Sequence, residues 1–183
     1  GFGKSAFMGC QAVGVSSSPQ IEVVEVNGNN VDCNVPIGVA IFSLEMRRKK
    51  LAQRLCCGMA RVNYKLLQTG NAHPHDFQKL IGASDHLSNL PIVIDDAPDL
   101  TMDMLEAKLA RIQAMFAAFG TRLGLVLIDY MQLVDVSGEG QGEKSNREIQ
   151  FNLAGRRLQK FASTFLARPK ALPVVNGVVV DAG

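Results

Sequence analysis

The chain has 183 residues, 47% of them apolar and 20% charged, with a formal net charge of +2. That is enough chain to bury one real core, and too apolar a composition for a disordered segment. The near-neutral balance decides nothing about nucleic acid: there is no global basic excess, so any such contact must come from a local patch; no apolar run reaches the ~18 residues of a membrane span, and no membrane contact is expected.

Gly1-Phe2-Gly3-Lys4-Ser5 fills the last places of the phosphate-binding pattern G-x-x-x-x-G-K-[ST], whose first glycine would lie upstream of residue 1. Glycine lets backbone N–H groups close on phosphate oxygens, lysine meets the β/γ charge, and the hydroxyl suits a Mg²⁺ site at a helix N-terminus. A helix is expected from Ser5 to about Val15, weakened by Gly9 and Gly14. The alternation Ile21-Glu22-Val23-Val24-Glu25-Val26 before Asn27-Gly28 predicts a hairpin over residues 20–35. Ile37 to Leu44 is a continuous apolar run ending at Glu45, the form of a parallel strand buried on both faces.

Residues 46–60 read as a helix with Leu51, Leu55 and Met59 on one face and a solvated basic run, Arg47 to Lys50, at its start. Pro74 suits the first position of the next helix and Asp76 its first turn, so His73 and His75 read as a helix start rather than a metal pair. Ile92 to Asp95 is a short strand. Thr101 can cap a helix over 101–119, with Leu105, Leu109, Ile112, Phe116 and Phe119 at core spacing, its methionines and phenylalanines in the core, and Gly120 as terminator. Leu123 to Ile128 then runs into Asp129, residues 135–146 form a polar loop, and 147–166 are helical again. Two short apolar stretches near Val174 and Val179 supply a last strand or two. Cys10, Cys33, Cys56 and Cys57 contain no C-x-x-C spacing and read as reduced thiols used as small apolar residues.

Strands alternating with helices give an α/β class with a mostly parallel sheet flanked by helices, in a single domain over 1–183. In such sheets ligands bind beyond the carboxyl ends of the strands, where Glu45, Asp95-Asp96 and Asp129 fall. Each acid taken singly also reads as a loop-start or cap residue. Together with Gly3-Lys4-Ser5 they point to nucleotide hydrolysis: Asp129 as the strand-end carboxylate that faces the nucleotide's Mg²⁺, and Glu45 as the base beside the γ-phosphate.

The strings Ser43-Leu44-Glu45-Met46, Ile94-Asp95-Asp96-Ala97-Pro98 and Ile128-Asp129-Tyr130-Met131-Gln132-Leu133 occur in an order that resembles the DnaB-type replicative helicases. The resemblance covers residues 1–15 and 36 to about 162, and implies a RecA-like P-loop ATPase core. It also implies ATP and Mg²⁺ as cofactors and single-stranded DNA as partner, in a cytoplasmic, hexameric ring that meets a primase and a helicase loader. Carried over by position, Gly1, Gly3, Lys4 and Ser5 would hold the phosphates, Ser5 and Asp129 the metal, and Gln132 would belong to the same site. Glu45 with Lys4 would be catalytic. Arg147 and Arg156 would touch DNA beside and beyond a channel-facing loop.

Three departures from that family stand out. Residues 16–35 form a hairpin-like insertion. The first strand and first P-loop glycine are expected upstream, so the domain reads as incomplete at both ends. The family's Ser-Gln pair has no counterpart, because Pro173-Val174-Val175 is followed by Asn176-Gly177-Val178. Two alternatives therefore stand beside the helicase motor: a different RecA-like ATPase, or a catalytically inactive fragment of the helicase.

Overall fold

The computed structural model describes residues 4–26, 29–129, 147–165, 174–175 and 178–179. The expected loop over 135–146 lies outside them, as do Gly1, Gly3 and Gln132.

The fold is organised around one strand. β3 (Ile37–Ser43) is buried along its whole length and has a parallel partner on each side, giving a central sheet of order β4-β3-β5 with β4 (Ile92–Asp95) and β5 (Arg122–Asp129). Side chains alternate across a strand, so a strand buried on both faces has to be apolar throughout. Val39 and Ile41 face one layer, where they pack with Ala12 of α1 (Lys4–Ser16) and Leu51 of α2 (Arg48–Ala60). Ala40 and Phe42 face the other layer, with Leu105, Leu109 and Phe116 of α5 (Met102–Ala118) and Ala154 and Phe161 of α6 (Arg147–Phe165). Strands between two layers of helices make this an α/β fold.

Two glycines allow the layers to approach. A Cβ on Gly38 would stand 2.5 Å from the Phe116 ring, so Phe116 seats directly on the bare backbone of β3. On β5, Gly124 is the extra residue of a bulge opposite Gly38/Val39, and a Cβ there would meet Ile37 Cγ2 at 2.5 Å. The bulge changes the strand's parity. Leu123 packs with the α5–α6 side, while Leu125 and Leu127, two and four residues on, pack with the α1–α2 side.

Between α1 and β3, β1 (Gln20–Val26) and β2 (Asn29–Val35) pair antiparallel as a separate two-stranded ribbon, on the segments whose alternation predicts it. A short α3 (Tyr64–Gln68), capped by the Asn63 side chain, and α4 (Pro74–Ser88) complete a satellite cluster around Cys57, Val62 and Leu80. Pro74 opens α4, where His73 and Asp76 exchange bonds with each other's ends in a capping box; both histidines belong to that helix start. Near the end of the chain, β6 (Val174–Val175) and β7 (Val178–Val179) pair with each other and not with the central sheet.

The expectation that the methionines and phenylalanines of 101–119 are all core needs correction. Met102 and Phe116 are buried, but Met104 and Met115 are exposed and Phe119 is 79% exposed. The helix ends at Ala118 and Phe119 is its C-cap, so the 3.6-residue spacing no longer governs where that ring points. Gly120, at φ +64°, then turns the chain into β5. All four cysteines are free thiols; Cys57 is buried as a small apolar residue, whereas Cys10 is exposed. Burial pushes the Cys56 and Cys57 thiols up, Cys57 further through its neighbour Cys56. Among the described residues no helix is long and apolar enough to cross a membrane.

The tight seat of Phe116 on Gly38 makes a specific prediction. Gly38→Ala should destabilise the chain by about 1–3 kcal/mol, the usual cost of overpacking a well-filled core. The loss should shrink in a Phe116→Leu background, because the group the new methyl strikes is then smaller. Urea unfolding of the two single variants and the double variant measures this coupling.

Candidate functional site

Parallel strands end together, and here that rim gathers acids. β3 and β5 pair in register to their last residues, Ser43 opposite Asp129, and the Leu44 N–H donates to the Asp129 carbonyl at 2.8 Å. Glu45 follows one residue later in a bend and is exposed, while Asp129 is only 5% exposed. β4 ends on the same rim, since Phe42 is registered with Asp95. Glu45, Asp95, Asp96 and Asp129 therefore share one edge of the sheet.

Lys4 and Ser5 open α1, which packs on β3 and β5. The direction of α1 follows from its far end. Gln20, four residues beyond α1, accepts a hydrogen bond from Arg122 at the start of β5, 3.3 Å away, so α1 finishes at the amino edge of the sheet. A helix of this length spans about 20 Å, close to the length of the strands it lies against. Its Lys4 end is thereby directed to the rim that carries Glu45 and Asp129. Arg147 is the first residue of α6 and Arg156 is exposed further along it. Gly1, Gly3 and Gln132 lie outside the described residues.

The two neighbouring acids of β4 do different work. Asp95 is partly buried and pairs with Lys108 of α5 at 2.7 Å, while accepting from the Ala97 N–H at 3.0 Å. Desolvation by itself would push its carboxyl up. The Lys108 and Ala97 hydrogen bonds, with the Lys108 and Arg111 charges, outweigh that and hold it below the ordinary carboxylate value. Asp96 turns the other way and accepts from the Arg48 N–H at 2.8 Å, at the start of α2. The acid that takes this amide is thus Asp96, not Glu45, although Glu45 is the nearer in sequence. Local sequence pattern places Asp95-Asp96 on the rim but carries no sign of either partner.

On the opposite layer, Arg157 ties α6 to the start of α5. It meets Glu106 at 2.8 Å and Asp103 at 2.6 Å, and those two carboxylates, Glu106 first, raise the guanidinium pKa further above its ordinary value. A cavity of about 670 Å³ lies elsewhere, between α1, α2 and α3, lined among others by Val13, Arg54, Leu55, Met59 and Tyr64. Arg54 stands over the Tyr64 ring there. Neither Glu45 nor Asp129 lines it, so this hollow is not where the acids gather.

The chemistry of the rim suits a magnesium nucleotide. A helix N-terminus carrying lysine and serine offers amides and positive charge to phosphate, and a buried strand-end carboxylate is a hard oxygen donor of the kind Mg²⁺ takes.

A family model for the DnaB-like helicase C terminal domain matches residues 2–175. The chain is 36% identical over 146 residues to the replicative DNA helicase DnaC of Bacillus subtilis (strain 168), covering 80% of this chain and 29% of that protein. It is 33% identical over 147 residues to the replicative DNA helicase DnaB of Nostoc sp., covering 80% of this chain and 15% of that protein. The chain thus spans less than a third of the length of these relatives. Among solved structures, an ATPase domain superposes with a TM-score of 0.67 at 24% identity, over 88% of this chain and 49% of that one. A DnaB-like replicative helicase, solved in a study of its interactions with primase, gives 0.67 at 21% identity, over 96% of this chain and 40% of that one. Both show the same fold.

The depressed Asp95 carboxyl fixes a pH dependence. A carboxyl lowered by folding stabilises the fold at pH values above its unfolded pKa, and that contribution is lost as pH falls through the folded pKa. Asp95→Asn should therefore cost stability at neutral pH, about 1–2 kcal/mol for a hydrogen-bonded, partly buried ion pair. The gap from the parent chain should close as pH falls below the ordinary carboxyl value of 3.8. Urea unfolding at pH 7 and across the range below pH 4 measures it.

Proposed function

The chain belongs to the DnaB-like helicase C-terminal domain family, and on that premise we propose that it is the ATP-hydrolysing motor of a replicative DNA helicase. The observation that carries the reading is the single rim that Glu45 and Asp129 share, joined by the Leu44–Asp129 backbone bond, with the Lys4 end of α1 directed to it.

In this reading the amides of the α1 first turn, with Gly1 and Gly3 before it, cradle the phosphates of ATP, and Lys4 neutralises the β/γ charge. Ser5 and Asp129 would hold Mg²⁺, which when bound spreads the charge that builds on the β- and γ-oxygens. Gln132 lies in the same string as Asp129 and belongs to the same site. Glu45 orients the attacking water and accepts its proton. Its exposure at the end of a buried strand suits that task, since it has to reach past the sheet rather than stay inside it.

Arg147 and Arg156 contact the phosphate backbone of single-stranded DNA from α6. Hydrolysis drives translocation and strand separation in a hexameric ring, with an arginine from a neighbouring subunit completing the site. Contact with a primase follows the relative whose structure was solved in that context. A helicase loader and a cytoplasmic setting complete the proposal.

Two substitutions in the full-length protein separate binding from chemistry. Lys4→Ala should abolish nucleotide binding or turnover. Glu45→Gln should bind a fluorescent ATP analogue as the parent does while phosphate release falls by about 10²–10⁴-fold, the usual worth of a general base. Normal turnover in Glu45→Gln would remove the base assignment, and unchanged ATPase in Lys4→Ala would remove the phosphate site.

A further inference from the structure

The segment that carries Glu45 is short and tied down at several points. Leu44 packs against the α5–α6 core and Met46 against the α1–α2 core, so the residues flanking Glu45 are anchored on opposite faces of the sheet. The Leu44 N–H is held by the Asp129 carbonyl, and the Ser43 hydroxyl donates to the Met46 carbonyl at 2.8 Å, closing the bend from inside. At the far end stands the start of α2. Its N-cap residue, Arg47, has extended backbone and no side-chain cap, and its first turn holds no acid. The first amides of a helix need acceptors. Here the Arg48 N–H finds one 48 residues away in sequence, on Asp96.

We propose that Asp96 is a positioning residue for hydrolysis: by capping α2 from the end of β4, it fixes the far end of the Glu45 bend relative to Asp129. The proposal rests on the reading of Glu45 as the base. Asp96 does not touch substrate. It acts through the three peptide bonds from Arg48 to Glu45, and its own position is set by the neighbouring Asp95, which Lys108 ties to α5 and the Ala97 amide holds from the loop. The bend is thus clamped between two strand ends of one sheet, Asp129 on β5 and Asp96 just past β4. Releasing one clamp lets Glu45 drift by a fraction of its own bend. Displacement on the scale of 1 Å at a reacting group costs about 10²-fold in rate.

Two reciprocal variants test this in the full-length protein. Asp96→Ala removes the acceptor. Arg48→Pro removes the donor and leaves Asp96 in place; proline is well tolerated at the first helical position, and the extended Arg47 suits the residue before it. Each should lower kcat for ATP hydrolysis by about 10- to 100-fold with KM for ATP and binding of a fluorescent ATP analogue unchanged. The double variant should be no slower than either single one, because both break the same bond. Asp96→Asn, which keeps a side-chain oxygen, should recover most of the rate. Proline fits the helix start, so a parental far-UV circular dichroism spectrum and urea midpoint in Arg48→Pro assign a rate loss to the lost bond rather than to unfolding. Parental kcat in folded Asp96→Ala and Arg48→Pro would overturn the proposal, as would additive losses in the double variant or an equal loss of nucleotide binding. If Glu45→Gln hydrolyses ATP normally, the base reading fails. If Glu45→Gln is dead while Arg48→Pro is fully active, only the role of Asp96 fails.

Discussion

The burial of β3 on both faces is the constraint from which the rest of the molecule follows. A strand with helices above and below and a parallel neighbour on each side has no solvent-facing position, so every residue from Ile37 to Ser43 is buried. Its alternation sends Val39 and Ile41 to one core and Ala40 and Phe42 to the other. At ~25 cal/mol per Å² of apolar surface removed from water, such a strand is among the strongest organising elements a chain this size can have. Its end is correspondingly well placed in space, and that end is where the candidate chemistry sits.

Rigid strands alone would leave their trailing loops free. What turns the rim into a site is a second set of polar ties laid across it, each satisfying a group that the ends of regular structure leave open. Leu44 borrows the last carbonyl of β5, Ser43 closes on Met46, and Asp96 supplies the acceptor that α2 lacks locally. Beside them, Asp95 with Lys108, and Arg157 with Glu106 and Asp103, fasten the outer helices to the sheet and to each other. The same few residues that complete the secondary structure also hold the acids in register.

Much of this was legible from local pattern. The apolar run of β3, the strand ending at Asp129, the capping of α5 by Thr101 and the proline at the start of α4 are signals within a few residues, and they hold. Phe119, Met104 and Met115 depart from the core expectation because helical spacing says which residues share a stripe, not where the helix stops or how wide its covered face is. The short α3 has too few turns to show a period.

The sequence by itself determined the order of strands and helices, the lysine and serine at a helix start, and acids at the ends of apolar strands, because each is written in contiguous residues. Only the tertiary structure decided that the ends of β3 and β5 lie side by side with Leu44 bonded to Asp129, that Asp96 rather than Glu45 caps α2, and that Asp95 answers to Lys108. Those facts join residues 13 to 85 positions apart, through the register of parallel strands and the needs of unpaired amides. No local pattern encodes a pairing at that separation.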